Sequence, residues 1–523
     1  MPISSNIWTM WAIKISDQAV SLRWLINRIT ARAMTSSTTM SSNQSEVKPF
    51  ESIPGPRGMY QWPIIGTLLH YKPFTRHTPE TLHEFLNEQF DKYGPVVKLR
   101  LGPTVVALSD PKDFETVIRH EGKYPRRPSI EISTVFYKRT GMREDLGHLQ
   151  GPAWHALRAP LNRRLLKADS ATLYLDQQNE VADDFVKILA SKNLSPEELE
   201  DMFYRYAAES IAVVTFNTRL RLFDQNPNEK SVQIVEASKA ALQATQDSVF
   251  GKSFAHKWYK NSTYKMFEEA IGIIRSVSAA HVSQAQTALE NKVKSGQLKE
   301  DEPNLLLSLL SEKDLTQEDI VVIMATLYSA GTDSTAKNIQ VFLYNLAKNP
   351  EKQELLRREI FENVGKNGPL SAKALSNMVY LKAALKESFR LNFPTSVGMM
   401  RELTEDLVVR NYRVPAGVRL LLFNPRAART EFDSPEKYLP ERWLRSDDGA
   451  KKDTAHNMIV LPFGHGARSC IGRRFALQEV YLLATKILQS FYVDVEPESY
   501  QTKFIYKIFI DAEKTIKFKF TKI

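Results

Sequence analysis

Residues 461–474 read LPFGHGARSCIGRR and contain the single cysteine of the chain, Cys470. The three glycines of this stretch let a backbone turn sharply or approach a large group closely. The apolar spacing that follows predicts a helix from about Arg473 to Gln489. A cysteine just before a helix lies near the positive end of the helix dipole, which favours the thiolate over the thiol. The stretch therefore offers a nucleophile or a soft metal ligand.

Three kinds of site could contain this loop. A dinucleotide-binding loop needs a third glycine where this chain has Ser469. A cysteine hydrolase needs more than His465 as a base, together with a strand-to-helix elbow that the sequence lacks. A haem-thiolate loop matches at all five positions of its pattern, which are Phe463, Gly466, Arg468, Cys470 and Gly472. In such a loop the thiolate pushes electron density onto haem iron.

The loop resembles that of the cytochrome P-450 family, and the resemblance extends over roughly residues 50–523. It implies a mainly α fold with a smaller β part, in a single large haem domain with haem b as the cofactor. It implies Cys470 as the axial ligand of the haem iron. The other cofactor-binding residues that it implies are Phe463, Arg468, Trp154, Arg158 and Arg401.

A long helix is predicted over residues 316–348, and residues 330–335 in its middle read AGTDST. Glycine and hydroxyl side chains make this a poor helix sequence, which is compatible with a packing notch. The family has an acid followed by an alcohol here, so the resemblance implies Asp333 and Ser334 as the catalytic pair. Monooxygenation consumes two protons while one oxygen atom leaves as water. A carboxyl and a hydroxyl can deliver those protons.

Two separated segments carry a charge pattern of the same family. Glu387 and Arg390 lie one turn apart on a predicted helix, and Arg442 follows in the sequence PERW at 440–443. The resemblance implies that these three form a buried charge triad that braces the cysteine loop. We therefore expect a structural and not a catalytic role for them.

Basic residues near the triad and the loop resemble the mitochondrial branch of the family. That branch docks an acidic, adrenodoxin-like ferredoxin, which an NADPH-dependent reductase supplies with electrons. The docking residues that the resemblance implies are Lys382, Lys386, Arg473 and Arg474. Lys382 and Lys386 share one helical face, for which an ordinary solvated face is the alternative.

The N-terminal 45 residues contain four basic residues and one acid, and they are rich in Ser and Thr. This composition is typical of a mitochondrial transit peptide, and a disordered leader is the alternative. Residues 46–58 are predicted to be a Pro-rich linker, and residues 59–523 the haem-thiolate monooxygenase domain. No run of 18 apolar residues occurs, which disfavours a membrane-spanning anchor. We expect peripheral association with the matrix side of the mitochondrial inner membrane, with the endoplasmic reticulum membrane as the alternative.

The overall composition is that of an ordinary globular protein, with 43% hydrophobic and 25% charged residues among 523. One cysteine excludes an intrachain disulfide framework and the cysteine-rich zinc sites. The net charge of +10 is compatible with acidic proteins, acidic membranes or nucleic acid as partners. Because the sequence has no zinc-finger spacing and no long Lys/Arg run, we do not expect a nucleic-acid partner.

Hydrophobic patterning places short strands at 96–101 and 105–108, helices from about 170 to 390, and more strands within 397–425. Two strand-like segments end the chain, near 491–495 and 516–520.

The predicted function is a haem-thiolate monooxygenase that inserts one atom of dioxygen into an apolar organic substrate, either steroid-like or foreign to the organism. Its electrons would come from a ferredoxin. One alternative is a haem-thiolate isomerase or dehydratase that needs no external electrons. Another is a non-catalytic haem-binding protein.

Overall fold

Capping side chains mark where several helices begin. The Ser195 hydroxyl accepts the Glu198 N–H and the Glu198 carboxylate accepts the Ser195 N–H, which starts the helix Pro196–Phe216. Thr316 and Asp319 form the same reciprocal pair at the start of Gln317–Ala347. Each pair satisfies two of the backbone donors that a helix end leaves unpaired.

The computed structural model describes residues 46–523 except 252, 254, 296–303, 367 and 445–455. The segment Lys48–Ile523 forms one compact unit. The helices are α1 Ile65–Leu68, α2 Leu82–Tyr93, α3 Pro111–His120, α4 Glu131–Thr140, α5 Gly151–Leu165, α6 Leu175–Ser191, α7 Pro196–Phe216, α8 Glu229–Val249, α9 Ser262–Lys294, α10 Leu305–Leu310, α11 Gln317–Ala347, α12 Pro350–Val364, α13 Ala372–Asn377, α14 Val379–Leu391, α15 Asn424–Thr430, α16 His456–Ile459 and α17 Arg473–Ser490.

The β part is small and divided among four sheets of the described residues. Its strands are β1 Val96–Arg100, β2 Thr104–Leu108, β3 Met399–Glu402, β4 Leu407–Val409, β5 Tyr412–Val414, β6 Arg419–Leu422, β7 Phe491–Val495, β8 Phe504–Tyr506, β9 Ile510–Ala512 and β10 Phe518–Lys522. The largest sheet has the order β1-β2-β6-β3, with β2 and β6 parallel and the other pairs antiparallel. The other three sheets pair β7 with β10, β4 with β5 and β8 with β9.

Helix α11 runs through the interior and contacts α7, α9 and α17. Most of its side chains are buried, as its apolar sequence requires. Helix α17 begins directly after the cysteine loop and also contacts α6 and α12. The loop is thereby fixed at the start of a helix that belongs to the core.

The predicted fold class, mainly α with a smaller β part in a single domain, is confirmed. The strand predictions at 96–101, 105–108, 397–425 and 491–495 are confirmed, whereas the last strand lies two residues beyond the predicted 516–520. The β8–β9 hairpin was not predicted.

The structure describes the predicted linker from residue 46 but not the predicted leader. The predicted leader over residues 1–45 lies outside the described residues. The predicted linker lies, from Lys48 onward, inside the compact unit, where the Lys98 N–H donates to the Pro54 carbonyl at 2.7 Å. Among the described residues, no helix combines the length and the apolar character that crossing a bilayer requires.

Candidate haem-thiolate site

The cysteine loop closes on itself through backbone hydrogen bonds. The Cys470 N–H donates to the Phe463 carbonyl at 2.8 Å. Gly464 and Gly466 adopt φ values of 67° and 77°, a left-handed conformation that favours glycine. A Cβ on Gly466 would also lie 3.0 Å from the Glu121 carboxylate. The backbone shape of the loop therefore requires glycine at 464 and 466, and packing against Glu121 adds to that requirement at 466.

The side chain of Cys470 is accessible and at the same time largely surrounded by protein. Its side chain is exposed, yet burial raises the pKa of its thiol above the ordinary value. Both observations hold when a side chain is surrounded by protein but lines an internal cavity. Arg158 and Arg127 act against the burial and lower the pKa of the thiol.

Four guanidinium groups converge on this loop. Arg468 donates to the carbonyls of Pro125 at 2.9 Å and Leu149 at 3.0 Å. Arg158 donates to the Ser469 carbonyl at 2.6 Å, and Arg127 donates to the Arg468 carbonyl. Arg401 donates to the carbonyl of His465 at 3.2 Å.

The cluster carries more positive than negative charge. Burial, followed by repulsion from Arg127, Arg158 and Arg401, lowers the pKa of Arg468 to about 9. Burial likewise lowers the pKa of Arg127 to about 10. Glu121, which pairs with Arg401, is the acid that faces the cluster, and burial raises its own pKa. The arrangement fits a cofactor that brings two carboxylates, as haem does with its propionates.

Trp154 joins the cluster through its ring. The side chain is buried, and the Arg468 guanidinium lies 3.9 Å from the centroid of the indole ring. The structure thus brings together Trp154, Arg158, Arg401 and Arg468, which lie far apart in the sequence. Sequence reasoning did not single out Arg127, which follows the sequence YPR at 124–126.

The middle of helix α11 has an accessible face that includes Ser334. Leu327, Ala330, Ser334 and Asn338 are partly or fully exposed, and their spacing of three or four residues places them on one side. The Ser334 hydroxyl donates to the Ala330 carbonyl at 2.7 Å. Gly331 serves packing, because a Cβ there would lie 2.7 Å from Ile211 of α7. Packing against α7 therefore explains the glycine in this poor helix sequence, and Ser334 lies on the accessible face of the helix.

Asp333 points away from Ser334, into a polar cavity of about 310 Å³. Burial raises the pKa of the Asp333 carboxyl to about 7, although Lys337 and Lys239 act against this shift. The Lys337 ammonium lies 2.6 Å from Glu200 and 2.7 Å from Asp511. Adjacent helix positions are about 100° apart, so the predicted pair borders two different spaces.

Comparison with known proteins agrees with this geometry. The family model described as cytochrome P-450 matches residues 56–520. This chain belongs to the cytochrome P-450 family. The predicted family and its cofactor, haem b held by a cysteine thiolate, are confirmed.

Several relatives are mitochondrial by name. The chain is 30% identical to cytochrome P-450 CYP12A2 of Musca domestica over 518 residues, which cover 93% of both chains. It is 29% identical to cytochrome P-450 10 of Lymnaea stagnalis, over 88% of this chain and 85% of the relative. It is 28% identical to cytochrome P-450 302a1, mitochondrial, of Drosophila melanogaster, over 85% of this chain and 89% of the relative. The resemblance to the mitochondrial branch is thereby confirmed.

The predicted charge triad of this cytochrome P-450 is assembled and buried. Arg390 donates to both oxygens of Glu387 at 2.9 Å, and Arg442 donates to Oε1 at 3.0 Å. Glu387 and Arg390 have fully buried side chains. Two further donors complete the shell around Glu387: the backbone N–H of Leu439 at 3.0 Å and the indole N–H of Trp443 at 2.9 Å. Sequence reasoning did not single out Trp443.

The triad helix also contacts the cysteine loop. Phe389, next to Arg390, packs edge-to-face on Phe463 with ring centroids 5.8 Å apart. Since the Phe463 carbonyl accepts the Cys470 N–H, the helix supports the backbone that holds the sulfur.

The four predicted docking residues have different surroundings. Lys382 and Lys386 lie on one face of α14, where Lys382 is exposed and donates to the Ser376 carbonyl at 2.6 Å. The Lys386 ammonium lies 4.0 Å from the centroid of the Trp443 ring. Arg473 is exposed, whereas Arg474 is half-buried and donates to the Leu166 carbonyl at 2.9 Å.

Proposed function

We propose that this cytochrome P-450 receives electrons from an acidic ferredoxin in mitochondria and oxygenates an apolar, steroid-like or foreign substrate. The observation that carries the proposal is the pair of lysines on α14, which belongs to the helix that supports the cysteine loop. The names of several mitochondrial relatives agree with it. Opposite charge on a partner would speed its encounter and set its orientation.

The residues of the site have distinct proposed tasks. Haem b supplies the activation of dioxygen when it is bound. Cys470 would hold its iron, with Phe463 in the supporting loop. The residues that would hold its carboxylates are Trp154, Arg158, Arg401, Arg468 and Arg127.

We propose that Asp333 and Ser334, which border different spaces beside α11, take part in proton transfer. A carboxyl with a pKa of about 7 can both take up and release a proton near neutral pH, which suits Asp333 to this task. Ser334 would hold a proton donor on the accessible face of the helix. Asp333 would exchange protons with the polar cavity.

The proposed function is tested by reconstitution. The full-length holoenzyme is first examined for the thiolate-shifted absorption of its reduced, CO-bound form. It is then supplied with NADPH, a ferredoxin reductase and an adrenodoxin-like ferredoxin, and separately with a diflavin reductase. We expect substrate-dependent NADPH oxidation with the ferredoxin only. Turnover with the diflavin reductase alone would contradict ferredoxin dependence, and product formation without either would favour an isomerase.

Peripheral membrane association is proposed for the segment 59–74. It carries exposed apolar side chains, among them Trp62, Ile64 and Phe74 with 54%, 74% and 63% exposure. It contains the exposed Lys72, and the exposed Arg57 and Arg76 border it. Such a combination fits an anionic lipid surface. Co-sedimentation with anionic and neutral vesicles tests it, and equal absence from both pellets would contradict it.

A further inference from the structure

Trp443 lies between Lys386 of α14 and the buried network of Glu387. Its Nε1–H donates to Glu387 Oε2 at 2.9 Å, and the face of its ring lies 4.0 Å from the Lys386 ammonium. One side chain therefore contacts a buried carboxylate with its edge and a lysine with its face. Indole is the aromatic group that attracts a cation most strongly.

The orientation of the indole is fixed from several sides. Its ring packs against Phe432 with centroids 5.3 Å apart. Its hydrogen-bond acceptor, Glu387, is itself held by Arg390 and Arg442. A ring with a fixed face holds the Lys386 ammonium at a fixed place.

A fixed lysine matters at a docking surface. A lysine side chain has many rotamers, and an interface that immobilises it loses that conformational freedom on binding. Lys386 has already lost part of this freedom before any partner arrives. Lys382, one turn earlier, is exposed and donates to Ser376 instead, so it provides a natural comparison.

We propose that Trp443 positions Lys386 for docking of the acidic ferredoxin, so that the indole belongs to the interface as well as to the buried network. This inference rests on the proposed ferredoxin dependence. A purely structural role for Trp443 would affect the stability of the protein but would not make its contribution to binding depend on Lys386. The two roles are therefore separable by measuring coupling.

The experiment is a double-mutant cycle on the full-length holoenzyme. The dissociation constant of an adrenodoxin-like ferredoxin is measured at low ionic strength for Trp443→Leu, Lys386→Gln and the double variant. We expect Trp443→Leu to weaken binding about two- to fivefold, which corresponds to an exposed cation–π contact. In the Trp443→Leu background, Lys386→Gln should raise the dissociation constant of the ferredoxin by a smaller factor than it does alone. The matched control, Lys382→Gln, should raise the dissociation constant by the same factor with Trp443 as with Leu at position 443.

A second measurement leaves the fold and the indole N–H intact. The seven tryptophans of the chain are replaced by difluorotryptophan, which weakens the attraction of the ring for a cation without changing its shape. We expect weaker ferredoxin binding with Lys386 present and no change in the Lys386→Gln variant.

The outcomes distinguish the two proposals. If neither Lys382→Gln nor Lys386→Gln changes ferredoxin binding, the proposed docking face is wrong. If both weaken binding but the Trp443 and Lys386 effects are additive, and fluorination acts equally with and without Lys386, the positioning role of Trp443 is wrong.

Discussion

At the scale of single residues, the sequence was informative where chemistry requires one residue type. The loop pattern around Cys470 predicted the ligand and the need for glycine at 466. It could not predict that Arg127 joins the cluster, because that depends on how the segment 121–127 folds back onto the loop. The neighbouring positions of Asp333 and Ser334 in the sequence also did not reveal that the two side chains border different spaces.

Ser334 is expected to affect how efficiently oxygen is used. Ser334→Ala removes the hydroxyl on the accessible face of α11, so delivery of protons should slow and more oxygen should leave as peroxide. The measurement is hydrogen peroxide formed per NADPH consumed, which we expect to rise severalfold. Thr332→Val is the control, since its hydroxyl is buried and bonds to Tyr328 within the same helix. An unchanged peroxide yield in Ser334→Ala would exclude the proposed role.

Lys337 is expected to control the ionisation of Asp333. The charged groups that line the cavity around Asp333 are Glu197, Glu200, Asp201, Lys239, Lys337, Lys507 and Asp511. Lys337→Met removes a cation that lowers the pKa of Asp333, so this pKa should rise above about 7. The pH at which coupled turnover changes should then move upward by about one unit.

Two control variants accompany the Lys337 measurement. Lys337→Arg keeps the charge and should keep the pH profile. Lys507→Met removes another partner of Asp511, at 2.9 Å, without removing the charge of Lys337. A pH profile that moves equally in Lys507→Met and Lys337→Met would mean that the shift is not specific to the charge of Lys337.

At the scale of elements, helices with caps and strong apolar periodicity were predictable. Helix α11 occupies residues 317–347, against a prediction of 316–348. The β8–β9 hairpin was not predictable, since its strands of three residues each show too little alternation to stand out from a loop. Its partners are the loop at 394–396 and α11, which are distant in sequence.

Glu479 is expected to make the junction of α17 with the core sensitive to pH. Burial raises the pKa of its carboxyl to about 8, while the hydroxyls of Thr335 and Ser210 act against this shift. Gln178 donates to the carboxyl at 3.2 Å. The group is neutral in the folded protein at pH 7 but ionised in the unfolded chain, whose carboxyl has the ordinary pKa of 4.5.

The sign of the stability change follows from this difference. The contribution of Glu479 is fully present below pH 4.5 and is lost as the pH rises toward about 8, because the unfolded state releases the proton first. Glu479→Gln should therefore match the parent protein near pH 5 and unfold at a higher temperature near pH 8. Thermal unfolding of the two holoenzymes across this range is the measurement. Parallel curves would show that Glu479 does not titrate as expected.

At the scale of the whole molecule, only part of the charge distribution could be predicted from the sequence. The sequence has a net charge of +10, and three arginines of that excess, Arg158, Arg401 and Arg468, lie buried around the cysteine loop instead of on a surface. Of the predicted docking residues, Arg474 is turned inward to Leu166. Burial decides which charges a partner meets, and burial depends on the tertiary fold.

Reversal of the α14 lysines is expected to separate electron delivery from catalysis. Lys382→Glu with Lys386→Glu places acids opposite an acidic ferredoxin, so ferredoxin-supported turnover should fall at least tenfold at low salt. The difference should shrink as salt rises, because exposed charges are screened. Turnover driven by added peroxide is the control and should be retained. An equal loss in both assays would indicate misfolding.

The guanidinium cluster has a consequence for how the protein is made. Without the carboxylates that haem would bring, Arg127, Arg158, Arg401 and Arg468 repel one another around the cysteine loop, with Glu121 as their counter-charge. A ligand that binds only the folded chain stabilises it in proportion to its supply. In the proposed site, haem would act as a counter-ion that completes folding as well as a catalyst. The amount of this protein in a cell should therefore follow haem synthesis, with unfilled chains lost to proteolysis.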